Sequence, residues 1–410
     1  MKTADRFLKY VTINTKSNPE SETTPSTKNQ FDLANVLVSE MNELGLKDVI
    51  LTEQCYVYGQ LPATPGFEKA PAIGFIAHMD TSPDYSGANV NPQIHPGYNG
   101  EDLLLGKSGL VLNVKNFPHL RELVNRTLIT TDGTTLLGAD DKSGIAEIMT
   151  ACEEIIGQKI PHGKISIAFT PDEEIGRGAD HFELDKFGAG LAFTVDGGPE
   201  GIINYENFNA CSASFEIHGV NVHPGSAKNI MVNAALVAFE INSMLPSGEI
   251  PAKTENYEGF YHLTEMHGTC ENAVLHYIIR DHSKEIFASR KNTLSLIEKL
   301  INEKYGLGTV KLTMIDSYQN MADIFEGNME QINIAKQAIQ QAGIEPVTLP
   351  IRGGTDGARL SFMGLPCPNL CTGGYAYHGP YEHITIEGLE ACTKIIVEIA
   401  KQYAAKIADA

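Results

Sequence analysis

The sequence predicts an α/β fold with a smaller α+β domain inserted into it. Apolar strands alternate with helices in the first half of the chain, a pattern typical of an α/β domain. The sequence pattern changes at about residue 208, where the next predicted strand alternates apolar and polar side chains. The α/β pattern resumes near residue 320. We therefore expect residues 1–207 and 321–410 to form one domain and residues 208–320 to form the insertion.

The first part of the chain supplies most of the predicted main sheet. The nearly all-apolar segment 72–77 is typical of a strand buried on both faces. Residues 15–28 are polar with two prolines, and residues 82–125 contain many Gly, Pro and Asn, so both predict loops. The expected helices are 3–11, 29–45 and 145–156, and the expected strands are 56–61, 72–77, 127–131, 164–170 and 191–195.

Three strands and four helices are predicted in the insertion and in the last part of the chain. Strands that alternate with helices over about a hundred residues would make a small α+β domain. The last helix carries apolar residues such as Leu389, Ile396 and Tyr403 on one side. The expected strands are 212–218, 273–280 and 309–315, and the expected helices are 233–245, 283–305, 332–342 and 386–407.

Charge and cysteine content exclude several classes of protein. The 410 residues include 31 Lys and Arg against 51 Asp and Glu, a formal net charge of −20. This acidic chain is a poor candidate for a nucleic-acid-binding protein, which needs a basic face. No segment looks like a signal peptide or approaches the length of a membrane span. The seven cysteines are scattered without a CxxC pair, which favours a reducing cytoplasm over a disulfide framework.

Acidic side chains or histidine directly follow three of the predicted strands. In α/β sheets, ligands bind beyond the carboxyl ends of the strands, so we expect these side chains to converge. An acidic surface turn is the ordinary explanation for any one of them, but not for their repetition. The residues are His78, Asp80, Glu173, Glu174 and Asp196.

Two adjacent carboxylates, Asp140 and Asp141, stand at the entrance of the helix predicted at 145–156. One Asp suffices as a helix cap, where its charge also suits the positive end of the helix dipole. The second carboxylate requires another partner, and a divalent cation is the natural candidate.

Two other pairs have spacings that suit a metal-dependent hydrolase. Side chains two positions apart on an extended segment point to one side, so His78 and Asp80 could bind a metal, or one of them could orient the other. The side chains of Glu173 and Glu174 diverge, so one could ligate a metal while the other transfers protons. Taken alone, each pair also occurs on ordinary surface turns.

The order of these motifs resembles the signature series of the two-zinc exopeptidase family that holds the aminoacylases, dipeptidases and glutamate carboxypeptidases. The resemblance covers essentially the whole chain, and it implies a three-layer catalytic domain with an inserted lid and dimerisation domain. That insertion is thus the candidate surface for a homodimer. The matching segments are 76–81, 138–144, 170–176, 196–198, 222–225, 352–357 and His378.

The resemblance also implies a role for each matching residue. Asp140 matches the carboxylate that bridges two zinc ions, Glu173 the general base and Asp80 the residue that orients His78. The Asp140-Asp141 bond matches one that is typically cis in the family. The remaining zinc ligands match His78 and Asp196 for one ion and Glu174 and His378 for the other, and the substrate contacts match His223, Arg280 and Arg352.

Chemistry supports this set, since mixed nitrogen and oxygen ligands suit zinc and a bridging carboxylate suits a two-metal site. The resemblance is strongest to members that release the N-terminal residue of tripeptides, and small peptides are the expected substrates. Family members that act on N-termini tend to carry Asp at the position of Asp196. The alternatives are a dipeptidase or an N-acyl amino acid deacylase with the same metal centre, and a non-catalytic metal-binding protein that keeps the fold.

Overall fold

A computed structural model describes residues 1–406. These residues form two compact units. The first unit comprises residues 1–205, 324–348 and 355–406. The second comprises Glu206–Asp323 and Leu349–Gly354. The α/β class of the fold is confirmed. No helix among residues 1–406 combines the length and the apolar character that crossing a bilayer requires.

The helices and strands follow the predicted order with a few additions. The helices are α1 (Thr3–Val11), α2 (Gln30–Glu43), α3 (Ala139–Gly157), α4 (Leu184–Phe187), α5 (Ala234–Ser243), α6 (Lys284–Tyr305), α7 (Ala322–Phe325), α8 (Glu330–Gln341), α9 (Asp356–Phe362) and α10 (Ile386–Ala405). The strands are β1 (Lys47–Leu51), β2 (Val57–Leu61), β3 (Ile73–His78), β4 (Gln93–His95), β5 (Leu103–Leu104), β6 (Val111–Leu112), β7 (Leu128–Thr130), β8 (Ile165–Thr170), β9 (Leu191–Val195), β10 (Ile202–Asn204), β11 (Asn209–His218), β12 (Phe260–Gly268), β13 (Asn272–Asp281), β14 (Val310–Tyr318), β15 (Val347–Thr348), β16 (Asn369–Leu370), β17 (Gly374–Tyr375) and β18 (His383–Thr385).

The first unit is built on an eight-stranded sheet of order β1-β2-β8-β3-β9-β16-β10-β15. Its centre is parallel, because β3 pairs in parallel with both β8 and β9. Parallel pairing brings the carboxyl ends of these three strands to the same edge. A smaller sheet of order β17-β18-β7-β4 and the β5-β6 hairpin complete this unit.

Helices cover both faces of the large sheet, as three-layer packing requires. Gly74 of β3 faces Phe187 of α4, whose ring leaves no room for a Cβ atom there. Gly59 of β2 shares its face with Phe75 of β3 through their common partner in β8, and it lies against Met41 of α2. Successive strand residues point to opposite faces, so α4 and α2 lie on opposite sides of the sheet.

The second unit contains one antiparallel sheet of order β12-β13-β11-β14. Helices α5 and α6 pack on this sheet around an apolar core that includes Phe215, Ile241, Leu275 and Leu294. This arrangement matches the α+β pattern that alternating strands and helices predicted for the insertion.

Several elements differ from the expectations. Strands β1, β10, β12 and β15 to β18 and helices α4, α7 and α9 were not predicted, and the loop expected at 82–125 contains three short strands. Strand β12 was missed because most of its side chains are exposed and polar, so it lacks an apolar period. Ile407, the last residue of the final predicted helix, lies outside the described residues.

Arg352 was expected in the main domain, but Leu349–Gly354 groups with the second unit. The physical reason is its side chain, which donates to the backbone oxygens of Asn256 at 2.7 Å and Glu258 at 2.8 Å. Its guanidinium also lies over the ring of Phe208.

Candidate metal centre

Strand β3 delivers His78 to the carboxyl edge of the sheet, where its imidazole is buried. Nδ1 of His78 lies 3.0 Å from the backbone oxygen of Asp80 and 3.4 Å from its carboxylate. Nε2 lies 2.9 Å from Oδ1 of Asp140 and 3.6 Å from Oδ1 of Asp196. One ring nitrogen is therefore held by Asp80, and the other faces the carboxylates expected to bind metal.

Asp140 contacts two histidines through different oxygens. Oδ1 lies 2.9 Å from Nε2 of His78, and Oδ2 lies 3.2 Å from Nε2 of His378. Although burial opposes ionisation, hydrogen bonds from His378 and His78 lower the pKa of Asp140 below its usual range. Each oxygen of this carboxylate faces a different histidine. A carboxylate that bridges two cations would have the same placement.

The adjacent Asp141 performs the capping role. The peptide bond between Asp140 and Asp141 is cis, as the resemblance implies. The backbone dihedrals of both residues are non-helical, so the regular turns of α3 begin after them. Oδ1 of Asp141 accepts the N–H of Gly144 at 3.2 Å, and Oδ2 accepts the N–H of His78 at 3.1 Å. The capping explanation offered for the acidic pair therefore applies to Asp141.

The turn that carries Glu173 and Glu174 is fastened by Asp80. The two carboxylate oxygens of Asp80 accept the N–H of Glu173 at 2.9 Å and that of Glu174 at 3.2 Å. Asp172, the preceding residue, accepts the N–H and the hydroxyl of Ser26. The two glutamates are thus held from both sides.

Glu174 and His378 meet at the edge of the site. Oε2 of Glu174 lies 3.0 Å from Nε2 of His378. Among the described residues, Oε1 of Glu174 is buried without a hydrogen-bond partner. A buried carboxylate oxygen without a partner is costly, and a cation would satisfy it. This orphaned oxygen is the observation that fits a metal to the site.

The carboxylates of the site oppose one another electrostatically. Burial and the charge of Asp140 raise the pKa of Glu174 to about 8. Burial and the charges of Asp196 and other carboxylates raise the pKa of Glu173 well above its usual range. Hydrogen bonds to Asp140 and Glu174 raise the pKa of His378 to about 11. So many buried acids favour bound positive charge, which divalent ions would supply.

The five side chains predicted as metal ligands lie in one cluster. Two overlapping groups have ligand atoms close enough to share an ion: His78 with Asp140 and Glu174, and His78 with Asp141 and Asp196. Asp141 was not among the expected ligands, and its two backbone hydrogen bonds already occupy both of its oxygens. The predicted ligands are His78, Asp140, Glu174, Asp196 and His378.

The three residues predicted to contact substrate all belong to the second unit. His223 is exposed, and its Nδ1 accepts the N–H of Gly225 at 3.1 Å. Arg280 donates to the backbone oxygen of Ile279, and its guanidinium lies 5.3 Å from the ring centre of Tyr318. Arg352 donates to the backbone oxygens of Asn256 and Glu258 and to the hydroxyl of Thr254.

Sequence reasoning missed Glu382, whose carboxylate binds the loop that carries Asp140. The available signal was its position, four residues after His378 and within the same short segment before α10. A single acidic residue gives no pattern, so only the folded chain reveals its contacts.

Comparisons with known proteins found similarities that extend over most or nearly all of the chain. The sequence model of the family described as Peptidase family M20/M25/M40 matches residues 132–402. A relative from Halothermothrix orenii named Peptidase T is 53% identical over 407 residues, covering 99% of this chain and 100% of the relative. The structure of aminopeptidase PepT from Bacillus cereus aligns at a TM-score of 0.78 with 22% identity over 98% of both chains. A dinuclear metal-binding M20 peptidase from Bacillus subtilis aligns at 0.65 with 14% identity, covering 98% of this chain and 97% of its own.

Proposed function

The chain belongs to peptidase family M20/M25/M40, and we propose that it is an aminopeptidase that releases the N-terminal residue of tripeptides. The observation that carries the proposal is the position of Asp140, with one carboxylate oxygen toward His78 and the other toward His378. Relatives named Peptidase T are about half identical over nearly the whole chain, which favours this reaction over a dipeptidase or a deacylase.

We assign two zinc ions to this centre. His78 and Asp196 would hold one ion and Glu174 and His378 the other, and both ions would share Asp140. The mixture of imidazole nitrogen and carboxylate oxygen donors is typical of catalytic zinc. When bound, such ions polarise the scissile carbonyl and make a water molecule more acidic.

The chain's own residues perform the proton transfers and hold the site rigid. Glu173 takes the proton of the attacking water and passes it to the leaving amine. Asp80 keeps Glu173 and Glu174 at fixed positions through their backbone N–H groups, and it orients the ring of His78. Asp80 thereby positions two of the proposed metal ligands, His78 and Glu174. It also positions the proposed general base, Glu173.

The second unit supplies the substrate contacts in this proposal. Arg280 and Arg352 bind the C-terminal carboxylate of the peptide, and His223 stabilises the transition state. An Arg fork can meet a carboxylate with two hydrogen bonds. Both arginine side chains donate to backbone oxygens of their own unit, but the contacts of Arg352, at 2.7 and 2.8 Å, are shorter than those of Arg280, at 2.9 and 3.4 Å. Arg280 is therefore the stronger candidate for the main contact.

We also propose that residues 208–320 act as a lid and dimerisation domain and that the enzyme works in the cytoplasm. Helix α5 exposes Leu236 and Phe239, with 65% and 62% of their surface accessible, which supports a self-association surface. All seven cysteines are free, in keeping with a reducing compartment.

The decisive experiment compares peptides that differ by one feature. The purified enzyme is incubated with a tripeptide that has a free amino group, with the matching dipeptide and with the N-acetylated tripeptide, and the products are identified. We expect release of the N-terminal residue from the free tripeptide only, abolished by a chelator and restored by Zn²⁺. Preferential cleavage of the dipeptide or of the acetylated peptide would instead establish one of the alternative reactions.

A further inference from the structure

Glu382 is a buried carboxylate that binds three backbone N–H groups of a single loop. Oε2 accepts the N–H of Leu137 at 2.7 Å and that of Gly138 at 2.9 Å, and Oε1 accepts the N–H of Asp140 at 3.0 Å. Only 1% of Glu382 is exposed to solvent. Because three N–H groups bind this one buried side chain, it holds the loop in place.

The loop that Glu382 holds is the one that presents Asp140 to the histidines. Its residues cannot reach regular helical partners, because Gly138 has a positive φ and Asp140 has non-helical dihedrals. Their N–H groups therefore need an acceptor from elsewhere. Glu382 supplies it from a position 242 residues farther along the chain than Asp140.

Glu382 also lies four residues after His378, and its own N–H donates to the backbone oxygen of Gly379. One side chain thereby joins the segment that carries His378 to the loop that carries Asp140. The separation between the imidazole of His378 and the carboxylate of Asp140 depends on this connection.

We propose that Glu382 is a positioning residue that sets the place of Asp140 relative to His378 and so determines the affinity for both metal ions. The inference rests on the proposed two-metal centre. The hydrogen bonds of the Glu382 carboxylate to the described residues go to backbone N–H groups, so it acts on Asp140 through the backbone of the loop. Residues that orient metal ligands in this indirect way typically contribute 10- to 100-fold in metal affinity or activity.

The test compares E382Q with a matched control, E147Q. The glutamine keeps the length of the side chain but turns an NH₂ group toward at least one N–H of the loop, which removes an acceptor. Glu147 is also a fully buried glutamate of the same unit, on α3, but among the described residues neither of its oxygens has a hydrogen-bond partner. Its replacement removes a buried carboxyl group without releasing the loop.

Zinc affinity is measured by competition with a chromophoric chelator, together with kcat at increasing Zn²⁺ and the melting temperature. We expect E382Q to bind Zn²⁺ about 10- to 100-fold more weakly than wild type and to recover most of its kcat at saturating Zn²⁺. E147Q should keep the wild-type affinity. Because added metal also stabilises a generally weakened fold, the melting temperatures are compared on the metal-free proteins. Positioning predicts a loss of Zn²⁺ affinity in E382Q that E147Q does not show, even where the two metal-free variants melt at similar temperatures.

The conservative variant E382D covers the case in which E382Q does not fold. Aspartate retains the charge but is one methylene shorter, so it reaches fewer of the three donors, and we expect an intermediate loss of affinity. Wild-type zinc affinity in either folded variant, or an equal loss in E147Q, overturns the inference while leaving the proposed function intact. A wild-type enzyme that binds no Zn²⁺ and cuts tripeptides without metal overturns the proposed centre itself.

Discussion

Nε2 of His78 and Oδ1 of Asp140 lie 2.9 Å apart, although 62 positions separate the two residues in the chain. His78 arrives at the end of β3 and Asp140 at the start of α3. The second oxygen of Asp140 lies toward His378. A side chain shared in this way cannot be removed without affecting both sides of the site.

Asp140→Ala is therefore expected to lose both ions, whereas a change at a terminal ligand such as Asp196 should weaken mainly one. The measurement is the zinc content per chain after dialysis, by atomic absorption, beside wild type prepared in parallel. Two tightly retained zinc ions in the Asp140 variant would contradict the bridging assignment.

Glu173→Gln should retain both metals and lose most turnover. The amide preserves the shape of the side chain but accepts no proton, and loss of a general base typically lowers the rate by about 10²–10⁴-fold. Zinc content and kcat are measured on the same preparation, so that loss of metal is separated from loss of the base. A variant with near-normal kcat would assign the proton transfer to another group.

The convergence of the site residues that follow strands could be predicted from the sequence, and the reason is physical. Strands β3, β8 and β9 are parallel neighbours, so the residues that follow them meet at one edge. His78, Glu174 and Asp196 are placed by this rule alone. Asp140 and His378 follow no such strand of the central sheet. The adjacent carboxylates Asp140 and Asp141 indicated a cation without showing which of them binds it, and only the family resemblance indicated His378.

Contacts made by single residues over long distances could not be predicted. The division of labour between Asp140 and Asp141 depends on backbone dihedrals at the entrance of α3. The attachment of Arg352 to the second unit depends on carbonyl groups nearly a hundred positions away. Neither feature has a period or a spacing in the sequence, because both arise from tertiary packing.

Gly144 of α3 should not tolerate even one added carbon. A Cβ atom at this position would lie 1.9 Å from the backbone oxygen of Val195 and 2.6 Å from Oδ1 of Asp141. Gly144→Ala should therefore displace the strand end that carries Asp196, lowering both the melting temperature and kcat/KM. Overpacking of this kind typically costs about 1–3 kcal/mol.

The matched control is Gly157→Ala at the other end of α3, where a Cβ atom would meet nothing within 4 Å. Alanine in a helix is favoured over glycine by about 0.5–1 kcal/mol, so this variant should be neutral or slightly more stable. Similar melting temperatures for the two variants would show that the approach of α3 to β9 is looser than described.

Glu40 of α2 should make stability depend on pH in the acidic range. It accepts hydrogen bonds from Arg6, Lys9 and Tyr10. Burial alone would raise the pKa of Glu40, but these donors lower it below its usual value. A carboxyl group with a lowered folded pKa stabilises the protein above its unfolded pKa of about 4.3 and loses that contribution as pH falls through the folded value.

Glu40→Gln should consequently lower the melting temperature at pH 7, with the difference from wild type shrinking below about pH 4. Glu43→Gln, on the exposed end of the same helix, serves as the control and should change little. A difference between wild type and the Glu40 variant that stays constant across this range would show that the charge of Glu40 contributes nothing.

The last prediction concerns Arg280 of β13. The ordinary expectation is that it pairs with its sequence neighbour Asp281, but Oδ2 of Asp281 lies 2.7 Å from Nε of Arg290 instead. Arg280 faces backbone oxygens and the ring of Tyr318. Its charge is therefore not cancelled by the adjacent acid, in keeping with a role in binding an anionic group of the substrate.

Arg280→Ala should raise KM strongly for a tripeptide with a free C-terminal carboxylate, since a bidentate charged pair is lost. The KM of Arg280→Lys should lie between that of wild type and that of Arg280→Ala, because lysine keeps the charge but not the planar fork. The C-terminally amidated tripeptide should be a poor substrate for wild type and should be little affected by either change. A carboxylate contact at one fixed position would also select chain length, so tetrapeptides should be poor substrates. If wild type cuts amidated and free tripeptides equally well, Arg280 anchors no carboxylate and the preference for tripeptides has another origin.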